Sequence, residues 1–121
     1  MSKTILIVED NDLNLKLFND LLQTNGYLTV VGKDGKSAVE MARETHPDLI
    51  LMDIQLRRFS ALEATRLLKG DPALHAIPVV AVTASAMKGD EERIRQGGCD
   101  GYIAKPISVS SFLKTVAGFV A

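Results

Sequence analysis

The chain has no tryptophan, one cysteine, four prolines and only 5% aromatic residues. A lone cysteine closes no internal disulfide, so this is not a disulfide scaffold, and a reducing, cytoplasmic setting is expected. Cys99 itself reads as a small, semi-buried residue. Long apolar runs are also missing: the first, Ile5 to Val8, stops at Glu9-Asp10, too short for a signal-peptide core or a bilayer span. Nor is there an excess of either charge. Fourteen basic and 15 acidic residues leave a net charge of −1, with no basic footprint for nucleic acid and no polybasic attraction to membranes. Direct nucleic-acid binding and membrane insertion are therefore not expected.

What is present is 46% hydrophobic residues in a length of 121, enough for the core of one domain. Linkers, repeats and low-complexity segments are absent, so residues 1–121 are expected to form a single domain without an output domain. Five short apolar stretches alternate with helix-like ones: TILIV (4–8), LTVV (28–31), LILMD (49–53), VVAVT (79–83) and GYIA (101–104). Continuous rather than alternating apolar residues fit strands covered on both faces.

Between the strands, Leu13, Leu17, Phe18, Leu21 and Leu22 predict the buried stripe of a first helix, ended at Asn25-Gly26. A second helix runs from about Lys36 to Glu44, with Ala38, Val39 and Ala42 inward and Pro47 beyond its end. Ser60-Ala61-Leu62-Glu63 is a capping box for a third. A fourth, over 87–98, offers only Met87 and Ile94 to a core and is expected to be exposed and loosely held. A fifth has Val109, Phe112, Leu113 and Val116 on one side, with Ser108 as its cap. Strict β/α alternation predicts an α/β fold: a doubly wound, five-stranded parallel sheet with helices on both faces.

In such sheets ligands bind beyond the carboxyl ends of the strands, near the point where strand order reverses. Glu9-Asp10, Asp53, Thr83 and Lys105-Pro106 all end or follow strands there. Each has an ordinary explanation taken singly: a helix cap, a turn, a strand residue, a solvated lysine. Together, clustered carboxylates require a compensating cation or proton. Hard oxygen donors suit Mg²⁺, which takes one or two carboxylates plus phosphate oxygens.

Four segments in order, ILIVEDN (5–11), DLILMDIQL (48–56), PVVAVTA (78–84) and YIAKPIS (102–108), give the chain a resemblance to the receiver domains of two-component response regulators. Residues 79–99 are similar, more narrowly, to single-domain regulators of bacterial cell division and polarity. The resemblance implies a CheY-like (βα)5 fold with strand order 2-1-3-4-5. It also implies a role in a phosphorelay, with Mg²⁺-dependent self-phosphorylation and slow autodephosphorylation as the only reactions of the chain's own. Asp53 would take a phosphoryl group from a histidine kinase or histidine phosphotransfer protein. Asp10, Asp53 and the carbonyl of Gln55 would hold Mg²⁺, with Glu9 acting through water. Lys105, aimed by a cis bond before Pro106, would pair with a phosphoryl oxygen. Thr83 and Tyr102 would be the switch. A downstream protein would bind the fourth helix, the fifth strand and the fifth helix.

A flavodoxin-like FMN binder shares the strand order, but the loop Glu9-Asp10-Asn11 would repel phosphate. A haloacid-dehalogenase-like phosphatase places a second aspartate where Gln55 stands. Two readings stay open: a binding module of the same fold indifferent to phosphorylation, and a receiver from a hybrid kinase. The chain departs from the receiver pattern at Arg57 and Ala61, usually proline and glycine. Arg57 leaves φ free and restores an N–H, so the loop Arg57-Arg58-Phe59 is expected to be looser and to tune rates.

Overall fold

A computed structural model describes residues 3–53, 61–83, 95, 97–104 and 107–120. The apolar stretches are strands β1 (Thr4–Val8), β2 (Leu28–Gly32), β3 (Leu49–Asp53), β4 (Val79–Thr83) and β5 (Gly101–Ala104). All pair in parallel, in the order β2-β1-β3-β4-β5. The chain moves from β1 to β2 on one side and returns to β3 on the other, so strand order reverses between β1 and β3. Four helices are described: α1 (Asp12–Thr24), α2 (Gly35–Thr45), α3 (Ala61–Gly70) and α4 (Val109–Val120). Here α4 is the fifth helix expected from the sequence. Of the expected fourth, only Arg95 and Gly97-Gly98 fall among the described residues; Met87, Ile94 and the cap Ser60 lie outside them.

Every residue of β3 and β4 is buried, as continuous apolar strands sandwiched between helices require. Alternation along each strand builds two cores. Leu6, Val8, Ile50, Met52, Val79 and Ala81 pack with Ala38, Ala42, Ala64 and Leu68 of α2 and α3. Ile5, Ile7, Leu49, Leu51, Val80 and Val82 pack with Phe18 and Leu22 of α1 and Phe112, Val116 and Val120 of α4. Phe18 and Phe112 stack with ring centroids 5.3 Å apart, joining α1 to α4.

The helix faces correct two expectations. In α1 the buried side chains are Phe18 and Leu22, with Leu15 and Leu21 partly covered, whereas Leu13 and Leu17 are 80% and 42% exposed. The physical reason is that leucines occur all round this helix, so its apolar period alone does not select a face. In α4 Val109 is exposed, while Val120, not among the side chains expected inward, is buried with Phe112 and Val116. As expected, α2 ends before Pro47; its C-cap His46 adopts the left-handed conformation at φ 46° and donates its N–H to Ala42 O. Gly26, at φ 87°, provides the left-handed turn after α1 as expected. Among the described residues no helix is long and apolar enough to cross a membrane.

These assignments separate two leucines of one helix. Leu22→Ala, in the core, should cost about 2–5 kcal/mol, while Leu13→Ala should stay within about 0.5 kcal/mol of the parent. Urea denaturation of the two variants measures both.

Candidate functional site

Strand register brings the chemistry to one edge. Val8 pairs with Met52 and Asp53 with Val82, while Thr83 lies opposite Ala104. Glu9-Asp10 therefore leave β1 beside the end of β3, whose last residue is Asp53. Thr83 closes β4 next door. Glu9, Asp53 and Thr83 are 1%, 3% and 0% exposed, whereas Asp10 faces solvent. Carboxylate oxygens of Glu9, Asp10 and Asp53 all lie within 4.8 Å of one another.

The turn after β1 fixes this arrangement. The Glu9 N–H donates to Gly32 O at 3.1 Å, extending the parallel pairing one residue past the strand. Glu9 Oε1 accepts the Asn11 N–H at 3.1 Å, and Asn11 Oδ1 accepts the Asn14 N–H at 3.0 Å. Asn11 is thus the N-cap of α1. Glu9 and Asp10 are thereby released from the capping role that explained them most simply. This cap is a functional residue that the sequence reading missed, although asparagine before a helical stretch is itself the signal.

At that spacing two bare ionised carboxylates would repel by about 3 kcal/mol for an effective dielectric of roughly 20, and by less where solvent reaches Asp10. A cation among them removes that cost. Oxygens around Mg²⁺ at about 2.1 Å span up to about 4.2 Å across the octahedron. The triad is therefore of the right size, charge and hardness for such an ion. Asp10, being exposed, leaves the site open on the solvent side.

The other expected residues fall into two groups, described and not. Tyr102 is half-buried against the core that α2 and α3 cover. Ser108, the expected cap of the last helix, accepts the Phe112 N–H through its carbonyl at 2.8 Å. Lys105, Pro106 and Gln55, the arginine loop Arg57-Arg58-Phe59, and Ala84-Ser85 lie outside the described residues. Burial pushes the Cys99 thiol up, only partly offset by the Thr65 hydroxyl at 4.0 Å. That keeps it protonated and inert, in line with its ordinary reading. His46 and His75 are exposed.

Comparison with known proteins agrees with this geometry. The family model of the response regulator receiver domain matches residues 5–117. The polar-differentiation response regulator DivK of Brucella ovis is 59% identical over 120 residues, 99% of this chain and 98% of that protein. Among solved structures, the receiver domain of a sensor histidine kinase from Pseudomonas aeruginosa, with a magnesium ion coordinated in its active-site cleft, has a TM-score of 0.92. It is 32% identical, over 99% of this chain and 98% of that one. A Saccharomyces cerevisiae receiver domain, crystallised with the histidine phosphotransfer protein upstream of it, gives a TM-score of 0.89 at 26% identity, over 98% and 89% of the two chains. Fold, strand-end chemistry and similarity converge, and the chain belongs to the response regulator receiver family.

Proposed function

We propose that the chain is a single-domain response regulator that accepts a phosphoryl group on Asp53 and signals by phosphorylation-dependent protein binding in polar differentiation and cell-cycle control. A cytoplasmic location and Mg²⁺ as the resident ion belong to the same reading. The observation that carries it is the acidic triad at the point of strand reversal, with a buried aspartate at its centre. Similarity to DivK over nearly the full length supplies the cellular context.

In the reaction, an Asp53 carboxylate oxygen attacks the phosphorus of a phosphohistidine. The P–N bond breaks, the imidazole leaves with a proton, and an acyl phosphate forms. Asp10, Asp53 and the Gln55 carbonyl would hold Mg²⁺, with Glu9 acting through water; the ion when bound offsets phosphoryl charge. Lys105, which follows Ala104 in sequence, pairs with a phosphoryl oxygen. Thr83 then donates its hydroxyl proton to the phosphoryl group, and Tyr102 moves inward as the adjoining loop follows.

Two surfaces suit partners of different kinds. Leu13 and Leu17 of α1 are exposed close to the triad, where a phosphohistidine-bearing protein must approach. On the other side a groove of about 290 Å³ runs between β5 and α4, lined among others by Tyr102, Ala104, Ser108 and Thr115. It fits the downstream protein; most of the expected fourth helix lies outside the described residues. A receiver within a hybrid kinase would use the same chemistry. A phosphorylation-indifferent module would not, which makes the first experiment decisive between them.

Incubation with a small phosphodonor and Mg²⁺ should add one phosphoryl group by intact mass, located on Asp53 by peptide analysis and abolished by Asp53→Asn. An unlabelled parent chain, or the same labelled peptide in the variant, removes the assignment. Leu13→Glu should slow transfer from a phosphorylated histidine phosphotransfer protein at least tenfold while leaving small-donor labelling within twofold. Mg²⁺ at one hundred times its Kd should stabilise the fold by about 2.7 kcal/mol, raising Tm by roughly 10 °C. Asp10→Asn should remove most of that rise in a thermal melt.

A further inference from the structure

One ion cluster lies at the amino ends of β4 and β5, far from the triad. Lys69, near the end of α3, donates its ammonium to Asp100 Oδ2 at 2.7 Å, to Ile77 O at 2.9 Å and to His75 O at 3.3 Å. The same Asp100 oxygen accepts the Val79 N–H at 2.8 Å, and the Asp100 N–H donates to Val79 O at 2.7 Å. Val79 is the first residue of β4, and Asp100 immediately precedes β5. A single ammonium thus ties the starts of both strands to one helix.

The neighbouring contacts strengthen the tie. Gly98 has φ 102°, and a Cβ there would stand 3.4 Å from Lys69 Cγ and 3.6 Å from Thr65 Cγ2. The backbone therefore lies flat on α3 in a conformation that other residues adopt only with strain. Cys99 Sγ meets the buried Thr65 hydroxyl one residue later. Three consecutive residues, 98–100, are docked on α3 before β5 begins. β5 itself is a four-residue edge strand with one buried residue, paired along one side with β4, so the tie at its start adds to that pairing.

The opposite end of α3 starts eight residues after Asp53 in sequence. At 1.5 Å per residue its ten residues form a rod of about 15 Å. This rod connects the segment after the phosphoacceptor to the base of the strands bearing Thr83 and Tyr102. We propose that Lys69 is a positioning residue: by holding Asp100 and the Ile77 and His75 carbonyls together, it makes β4 and β5 respond as one unit to events at Asp53. The inference rests on the function proposed above, and its first test is independent of it.

Lys69→Met keeps the packing stem and removes the charge; Asp100→Asn keeps an acceptor for Val79 and weakens the pair. In the unphosphorylated full chain, amide exchange at Val79 and 101–104 should rise at least tenfold in Lys69→Met, with β1 changed less than threefold. A uniform rise in all strands would overturn the proposal, because it would mark mere global destabilisation. The second arm uses fluorotyrosine labelling and ¹⁹F NMR with Mg²⁺ and a small phosphodonor. The chain has two tyrosines, Tyr27 and Tyr102, so Tyr27 serves as the internal reference. The parent should show a phosphorylation-linked shift of Tyr102 alone. Both variants should label at Asp53 within twofold of the parent yet show less than half that shift per phosphoryl group. A full-sized shift in Lys69→Met overturns the coupling, as does a labelled parent whose Tyr102 does not move. A parent that is never labelled overturns the function proposed above instead, and the exchange arm then decides the role of Lys69.

Discussion

Everything at the site depends on parallel pairing of β3 between β1 and β4. Parallel strands present all their carboxyl ends to the same edge, so residues distant in sequence meet there without further instruction. The pairing in turn depends on burial: strands with every residue covered have no polar partners for their backbone groups but the neighbouring strands. A charged residue is tolerable in such a strand only at its end. Asp53 occupies that last position, buried yet next to open solvent through Asp10.

The strands and the acidic edge were legible because their signals are local and redundant. Continuous β-branched runs mark covered strands, and carboxylates that interrupt them mark strand ends. Faces of helices were less legible. In α1, leucines at 13, 15, 17, 21 and 22 surround the axis, so apolarity does not say which side meets the sheet. The stacked pair Phe18 and Phe112 settles the face, and it links residues almost a hundred positions apart. The cluster at Lys69 was illegible for the same reason. Nothing in the local pattern around Lys69 announces Asp100, because their meeting is a product of sheet order.

Electrostatics divides the molecule into an end that accumulates like charge and an end that neutralises it. At the carboxyl edge, three acidic groups are held within reach of one cation. At the amino edge, opposite charges are paired in close contact. Exposed pairs such as Lys16 with Asp20 and Lys33 with Asp12 add little to stability, being solvated on both sides. Among the described residues, the acidic groups that share one edge stand where a cation could bind.

Alternation along the strands has a consequence for how such a protein diversifies. Odd and even positions of β1, β3 and β4 feed two cores that meet only through the sheet itself. Substitutions in the α1 and α4 layer can therefore be compensated within that layer, leaving packing around α2 and α3 undisturbed. Leu13 and Leu17 lie outside even that layer, so their identities are nearly free of folding constraint. If α1 meets the phosphodonor as proposed, duplicated genes could drift apart in whom they recognise while keeping both cores and the acidic edge intact.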